Sequence, residues 1–174
     1  GNVHLEEDAK LRSGAYVEGP VFIGRGSDVG PNCHIRPFTS LGGEARIGNG
    51  CEVKNSLIQD GTHIGHLSYI GDSIVGANCN LGAGTITANL RFDEKSIRVR
   101  VKGEIVDSGK RKLGVIMGDK VETGIGVRFM PGVKVGSGSW IGPSVTVYED
   151  VPPETFLVQR QELEHQRRRD QLQQ

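Results

Sequence analysis

The chain has 174 residues, of which 26 are glycine and only 5% are aromatic. Its 21 Lys and Arg side chains equal its 21 Asp and Glu side chains in number, so the net charge indicates no attraction to nucleic acid or to an anionic membrane. No apolar run is long enough to span a bilayer and no signal-peptide pattern begins the chain, so we expect one cytoplasmic domain without nucleic-acid or membrane partners.

Residues 1–4 form a short lead-in, and from Leu5 onward an aliphatic residue returns every six positions. The in-phase residues that follow it are Leu11, Val17, Ile23, Val29, Ile35, Leu41, Ile47 and Val53. A period of six fits neither a helix nor a long alternating strand, whereas short strands joined by tight turns satisfy it. Such hexapeptide repeats are typical of parallel β-helices, in which each coil buries its apolar residues against the next coil. No atypical polar repeat precedes Leu5, so we expect an earlier part of the natural protein to cover the first coil.

Arg36 and Lys54 each follow an in-phase aliphatic directly, at a place where glycine or an acid is more usual. They are 18 residues apart, which is one coil of three hexapeptides, so we expect them on one edge at about the 4.8 Å spacing of adjacent strands. Two neighbouring cations repel each other unless an anion joins them. We therefore interpret the pair as a phosphate-binding site, and the alternative is two solvated side chains that lean apart.

His66 lies in the stretch IGHLSYIGD, which follows a five-residue step in the repeat. It takes the third place of its hexapeptide, which points outward. An exposed histidine on a polar turn is often incidental, but Tyr69, Asn80 and the small residues 82–85 supply polar groups and space around this one. An imidazole with an ordinary pKa of about 6.5 suits general-base chemistry near neutral pH.

The motifs GHLSYIGD and GANCNLGAGTITANLRFD resemble the acetyltransferase domain of bifunctional N-acetylglucosamine-1-phosphate uridyltransferases. The middle of the chain is most similar to the archaeal-type sugar-phosphate nucleotidyltransferase/acetyltransferases, and the resemblance extends from Leu5 to about Val158. It implies an all-β, left-handed parallel β-helix over residues 5–152 that assembles as a homotrimer. It also implies direct acetyl transfer from acetyl-CoA to the amino group of glucosamine 1-phosphate, with no metal required.

The resemblance also implies a role for each matching residue. His66 corresponds to the proton acceptor. The residues that match sugar-phosphate or sugar-nucleotide contacts are Arg36, Lys54, Tyr69 and Asn80. The residues that match acetyl-CoA contacts are Ala83, Asn89 and Arg160. Two positions depart from the family, since Leu90 and Ile125 stand where bacterial members have Tyr and Ser.

Two alternatives from other functional classes were weighed. The γ-class carbonic anhydrases share the hexapeptide fold and hold zinc with three histidines, but His34 and His63 fall on different faces here. Cys33, Cys51 and Cys79 occupy small inward positions without metal-ligand spacing, so we predict reduced structural thiols. The second alternative is a non-catalytic domain that trimerises or regulates a nucleotidyltransferase.

The repeat stops near Asn89 and resumes at Met117, which indicates an insertion over residues 87–115. Within it, SIRVRVKGEIV alternates apolar and basic residues and then turns, so the sequence predicts a projecting β-hairpin. Two roles remain open for the hairpin, which are to clasp a neighbouring chain or to close the site. Residues 154–174 contain no glycine or proline, and we predict a helical tail over 153–174.

Overall fold

The computed structural model describes residues 1–166 and shows an all-β, left-handed parallel β-helix. Three parallel sheets, which we name A, B and C, form the sides of the coil. The strands of sheet A are Val3–Leu5, Val21–Ile23, Thr39–Leu41, Leu57–Ile58, Ile74–Val75, Ile116–Met117 and Lys134–Val135. The strands of sheet B are Lys10–Leu11, Asp28–Val29, Arg46–Asn49, His63–His66, Asn80–Leu81, Glu122–Thr123, Trp140–Ile141 and Phe156–Leu157. The strands of sheet C are Tyr16–Val17, His34–Ile35, Glu52–Lys54, Tyr69–Gly71, Ile86–Thr87, Arg128–Phe129 and Thr146–Val147.

The aliphatic residues of the repeat fill the interior, as the period of six predicts. Ile35, Val53 and Ile70 are paired in register in successive coils of sheet C, and all three are fully buried. Each such side chain contributes roughly 1.5–3 kcal/mol by leaving water. Leu5 and Leu11 belong to the first coil, which has a neighbouring coil on one side only, and they stay 44% and 45% exposed.

Small residues occupy the other inward positions, namely valine, alanine, cysteine and small polar residues. The hydroxyl of Thr62 donates to the carbonyl of Gly76 at 2.6 Å, which satisfies a polar group that would otherwise be costly to bury. Cys33, Cys51 and Cys79 are buried and free, as the sequence predicts. Burial raises the pKa of Cys33 to about 11, so this thiol stays protonated at neutral pH.

Two consecutive coils are one residue short, and both shortages fall where the chain turns from sheet C to sheet A. We call this edge the C–A corner; it comprises residues 54–56 and 71–73 in the two short coils. Asn55 and Asp72 turn the chain there with φ of 45° and 51°, a left-handed conformation that Asn and Asp tolerate. In the next coil the insertion leaves from the same corner.

The insertion contains the predicted hairpin, with antiparallel strands Arg98–Val101 and Glu104–Asp107. Ile97 anchors its base, since it is only 1% exposed and packs over Gly132. The Lys134 ammonium donates a hydrogen bond to the Arg100 carbonyl. The hairpin is therefore held against the coil at its base, while its strands are mostly exposed.

The tail differs from the prediction. Phe156–Leu157 extends sheet B by pairing with Trp140–Ile141, and residues 153–166 contain no helix. The rings of Trp140 and Phe156 meet edge to face with centroids 6.3 Å apart, so the apolar pair gains more from stacking on the coil than from a helix with a sparse apolar face. The predicted helix over 167–174 lies outside the described residues. Within residues 1–166 there is no helix of the length and hydropathy that a membrane crossing would need.

Candidate functional site

His66 ends the four-residue strand of sheet B and lies at the edge between sheets B and C. Its backbone pairs with Asn49 in the preceding coil, and its carbonyl accepts a hydrogen bond from the Ser68 hydroxyl at 2.8 Å. Leu67 then turns the chain with φ of 49°. The imidazole is exposed and makes no hydrogen bond to any side chain among residues 1–166. Its ring nitrogens are therefore open to contact with a ligand.

An open groove of about 640 Å³ runs along sheet B beside His66. Asn80 and Ala83, which the resemblance assigns to ligand contacts, both line it, and Arg46 adds a positive charge. The Arg46 guanidinium pairs with no carboxylate in the described part of the chain. The groove thus offers a base, an amide and a cation along one face of the coil.

Gly65 keeps the groove open immediately beside His66. A side chain is excluded at the neighbouring Gly48, because a Cβ there would lie 2.0 Å from the Gly65 carbonyl oxygen. At Gly65 itself a Cβ would have no atom within 4 Å, and its φ lies outside the left-handed region. Among the glycines of residues 1–166 this combination is unique to Gly65. Neither packing nor backbone conformation requires glycine here, and the lack of a side chain leaves space beside the imidazole.

Arg36 and Lys54 stack one coil apart at the C–A corner, as their spacing predicts, but neither cation is free. Arg36 Nη1 lies 2.8 Å from Glu52 Oε1, and Lys54 Nζ lies 2.9 Å from Asp72 Oδ2. The four side chains carry no net charge. The expectation of two cations that need an external anion is therefore incomplete, because each cation already has a carboxylate of its own.

Tyr69 and Asn89 join this corner through Asp72. Asn89 Nδ2 donates to an oxygen of Asp72 and also lies 3.2 Å from the Tyr69 hydroxyl. Asn55 Nδ2 donates to the other Asp72 oxygen at 2.7 Å. Asp72 was not predicted as a site residue, although it closes the IGHLSYIGD stretch at a shortened corner.

The predicted residues thus fall into two groups and an outlier. The first group, in or beside the sheet B groove, is His66, Asn80 and Ala83. The second group, on sheet C and the C–A corner, is Arg36, Lys54, Tyr69 and Asn89. Arg160 is exposed beyond the last strand of sheet B, four strands from His66 and roughly 19 Å along the stack at the usual strand spacing.

Metal binding has no candidate in the described residues, since no three His, Cys, Asp or Glu side chains converge within 1–166. His34 lies on sheet C and His63 on sheet B, which agrees with the expectation that they fall on different faces. His34 instead pairs with Glu18 at 2.7 Å.

One family and several relatives named as bifunctional proteins are similar to this chain. Residues 17–129 match the family described as GMPPB C-terminal domain. The bifunctional protein GlmU of Methanocaldococcus jannaschii is 53% identical over 163 residues, which are 94% of this chain and 40% of that protein. A bifunctional sugar-1-phosphate nucleotidylyltransferase/acetyltransferase of Sulfurisphaera tokodaii is 52% identical over 87% of this chain and 38% of its own length. The chain therefore spans about two fifths of these relatives.

Solved structures share the fold at low sequence identity. AntD, an N-acyltransferase from Bacillus cereus solved with dTDP-4-amino-4,6-dideoxyglucose and coenzyme A, superposes with a TM-score of 0.55 at 20% identity over 81% of this chain and 84% of its own. The acetyltransferase domain of PglB from Neisseria gonorrhoeae, solved with acetyl coenzyme A, gives 0.50 at 17% identity over 88% of this chain and 53% of its own. The match over residues 17–129 and the identity to the relatives show that the chain belongs to the GMPPB C-terminal domain family, with GlmU-type proteins among its relatives.

Proposed function

We propose that the chain is an acetyl-CoA-dependent N-acetyltransferase domain that acts on glucosamine 1-phosphate, an amino-sugar phosphate. The observation that carries the proposal is the imidazole of His66, which is exposed beside an open groove and has no side-chain partner among residues 1–166. The similarity to GlmU-type proteins over nearly the whole chain supports it, as does the fold shared with acyltransferases that bind coenzyme A.

The reaction needs few protein groups. The amino nitrogen attacks the thioester carbonyl carbon, a C–N bond forms, and His66 accepts the proton that the nitrogen loses. The tetrahedral intermediate then collapses with breakage of the C–S bond, and the proton passes from His66 to the leaving thiolate. No acyl-enzyme is required, and this direct transfer agrees with the absence of any nucleophile hydrogen-bonded to His66 among residues 1–166.

The acceptor phosphate binds at the C–A corner. Arg36 and Glu52 are both about one third exposed, so the phosphate displaces the carboxylate from the guanidinium at little cost. Lys54 stays on Asp72 and keeps at least one of its three N–H donors for the ligand. Tyr69 lies between this corner and His66 on the outer side of sheet C.

The coenzyme lies along the sheet B groove. Ala83 leaves room for it beside the base, and Arg160 meets its far end. Asn89 lies on the other face of the same chain, beside Tyr69. A single chain cannot wrap both faces around one ligand, because adjacent sides of a triangular coil point in different directions.

We infer that a second chain completes the site in a homotrimer. A neighbour that places its sheet B groove against sheet C of the first chain would bring the two groups of residues together. Light scattering should give three times the chain mass, and a monomer that turns over would contradict this assembly.

Release of coenzyme A thiol tests the activity directly. Acetyl-CoA is supplied with glucosamine 1-phosphate, galactosamine 1-phosphate, or glucosamine without a phosphate, and the thiol is titrated with a chromogenic disulfide. Cys33, Cys51 and Cys79 are buried, so the protein's own thiols should add little background. We expect release with amino-sugar phosphates and much less with the sugar that lacks a phosphate. Release equal to uncatalysed hydrolysis with every acceptor would favour the non-catalytic alternative.

A further inference from the structure

Asp72 is the most completely satisfied charged group at the C–A corner. Its side chain is only 6% exposed, and its two oxygens accept from Lys54 Nζ at 3.1 and 2.9 Å. Asn55 donates to Oδ1 at 2.7 Å, and Asn89 donates to Oδ2. Burial on its own would raise the pKa of Asp72, but the hydrogen bonds from Asn55, Lys54 and Asn89 outweigh it and leave the pKa below its ordinary value.

The carboxylate also fixes the orientation of its neighbours. An ionised carboxylate only accepts hydrogen bonds, so the NH2 group of Asn89 must face Asp72, and its second hydrogen reaches the Tyr69 oxygen at 3.2 Å. Because the Tyr69 oxygen accepts this bond, its own O–H hydrogen remains available to a ligand. The amide oxygen of Asn89 is turned away from the carboxylate for the same reason.

The backbone explains why these residues meet at one point. Lys54 is in register with Gly71 of the next coil, so Asp72 follows one residue later and its N–H donates to the Lys54 carbonyl at 2.9 Å. The Asp72 carbonyl accepts from Gly114 at 2.8 Å, where the chain returns from the insertion. Asn89 stands where the insertion leaves, and its carbonyl accepts from Leu113 at 3.0 Å. Asp72 therefore joins the base of the insertion to the acceptor side of the site.

We propose that Asp72 is a positioning residue of the acetyl-transfer site, whose buried carboxylate holds Lys54 and Asn89 in place and, through Asn89, orients the Tyr69 hydroxyl toward the acceptor. The proposal rests on the proposed function. Asp72 touches no substrate itself. It sets the side chains that do, so that they need not be ordered when the acceptor binds.

The test is Asp72→Asn, which keeps the shape of the side chain but presents an NH2 group to donors. We expect the KM for glucosamine 1-phosphate to rise about tenfold, while kcat falls by less than about threefold, because His66 is not disturbed. The effects of Asp72→Asn and Lys54→Ala on this KM should be far from additive, since the two residues act as one unit.

The control is Asp150→Asn, which breaks a second Lys–Asp pair, Lys134 to Asp150 at 3.1 Å, at the far end of sheet A. It should leave the acceptor KM at the wild-type value. If Asp72→Asn does not fold, Asn55→Gly removes one donor while it keeps the left-handed turn, and it should raise the acceptor KM about threefold.

The outcomes separate the two proposals. Wild-type protein that releases no thiol with any amino-sugar phosphate overturns the proposed function. Wild-type activity combined with an unchanged acceptor KM in folded Asp72→Asn, or in Asn55→Gly where Asp72→Asn does not fold, overturns the positioning role alone. Additive effects of Asp72→Asn and Lys54→Ala would also overturn it.

Discussion

The sheet B groove and the C–A corner differ in how their polar side chains are paired. In the groove, the imidazole of His66 and the guanidinium of Arg46 have no side-chain partner within the described residues. At the corner, Lys54 and Asn89 are hydrogen-bonded to one buried carboxylate, that of Asp72. In the proposed function, the group that exchanges a proton is thus free of side-chain hydrogen bonds within residues 1–166, and the groups that bind the phosphate are held by them.

This difference follows from what each task requires. A general base has to exchange a proton with the ligand, so a permanent hydrogen bond to a neighbour would compete with the reaction. A binding group gains from being ordered before the ligand arrives, because the entropy of ordering is then lost in folding and not in binding. Four substitutions test this contrast, in order of decreasing effect.

His66→Ala should have the largest effect. It removes the free base, so kcat for thiol release should fall by about 10² to 10⁴ with little change in either KM. His63→Ala is the matched control, since His63 begins the strand that His66 ends and is also exposed. It should lower kcat far less. Near-normal turnover of His66→Ala would show that His66 is not the general base.

Arg36→Ala should act on binding. The guanidinium contacts the phosphate in the ground state and in the transition state alike, so its loss should raise the acceptor KM by roughly 10- to 100-fold, the worth of a hydrogen bond to a charged group, and change kcat little. Steady-state kinetics with glucosamine 1-phosphate measure both constants. A fall in kcat that equals the loss in kcat/KM would instead place Arg36 at the reacting centre.

Gly65→Ala should narrow the groove without disturbing the fold. We expect kcat/KM to fall several-fold while the melting temperature stays within about 2 °C of the wild type, because the new methyl group meets no protein atom. Gly43→Ala is the control, since a Cβ there also has room, with its nearest atom 3.4 Å away. A lowered melting temperature in Gly65→Ala alone would indicate a structural requirement for this glycine.

Glu52→Gln should have the smallest effect, and it should lower the acceptor KM where Arg36→Ala raises it. It frees Arg36 from a competing carboxylate in a partly exposed pair, so the acceptor KM should decrease by about two- to fivefold. The decrease should shrink as salt is added, because screening weakens the competing pair in the wild type. An increase in KM would mean that Glu52 binds the acceptor itself.

The fold could be predicted from the sequence because one physical signal repeats in every coil. Each in-phase aliphatic from Ile23 to Ile70 is buried, and the break in the repeat after Asn89 marked the hairpin. The tail could not be predicted in the same way. Glu154 onward lacks glycine and proline, but whether Phe156 enters a helix or a strand depends on the exposed Trp140 of the preceding coil, and periodicity carries no such information.

The site could be predicted only in part for a related reason. Outward positions such as Arg36 and Lys54 follow from the register, so their stacking was foreseeable. Their ion pairs with Glu52 and Asp72 were not foreseeable, because sequence spacing does not show which carboxylates contact the two cations. The loss of one residue at each of two corners was visible in the sequence, and in hindsight it marks the place of Asp72.

Mixing two variants that are each weakly active at low acceptor concentration tests most directly whether the groove and the corner belong to one shared site. Arg36→Ala is defective at the corner and Asn80→Ala in the groove, and the two are unfolded, mixed in equal amounts and refolded together. Activity is assayed well below the wild-type acceptor KM. If each site joins the corner of one chain to the groove of its neighbour, about a quarter of the sites in random trimers contain both intact residues, and activity should rise to about that fraction of the wild type. Activity of the mixture equal to the mean of the two variants would contradict a site shared between chains.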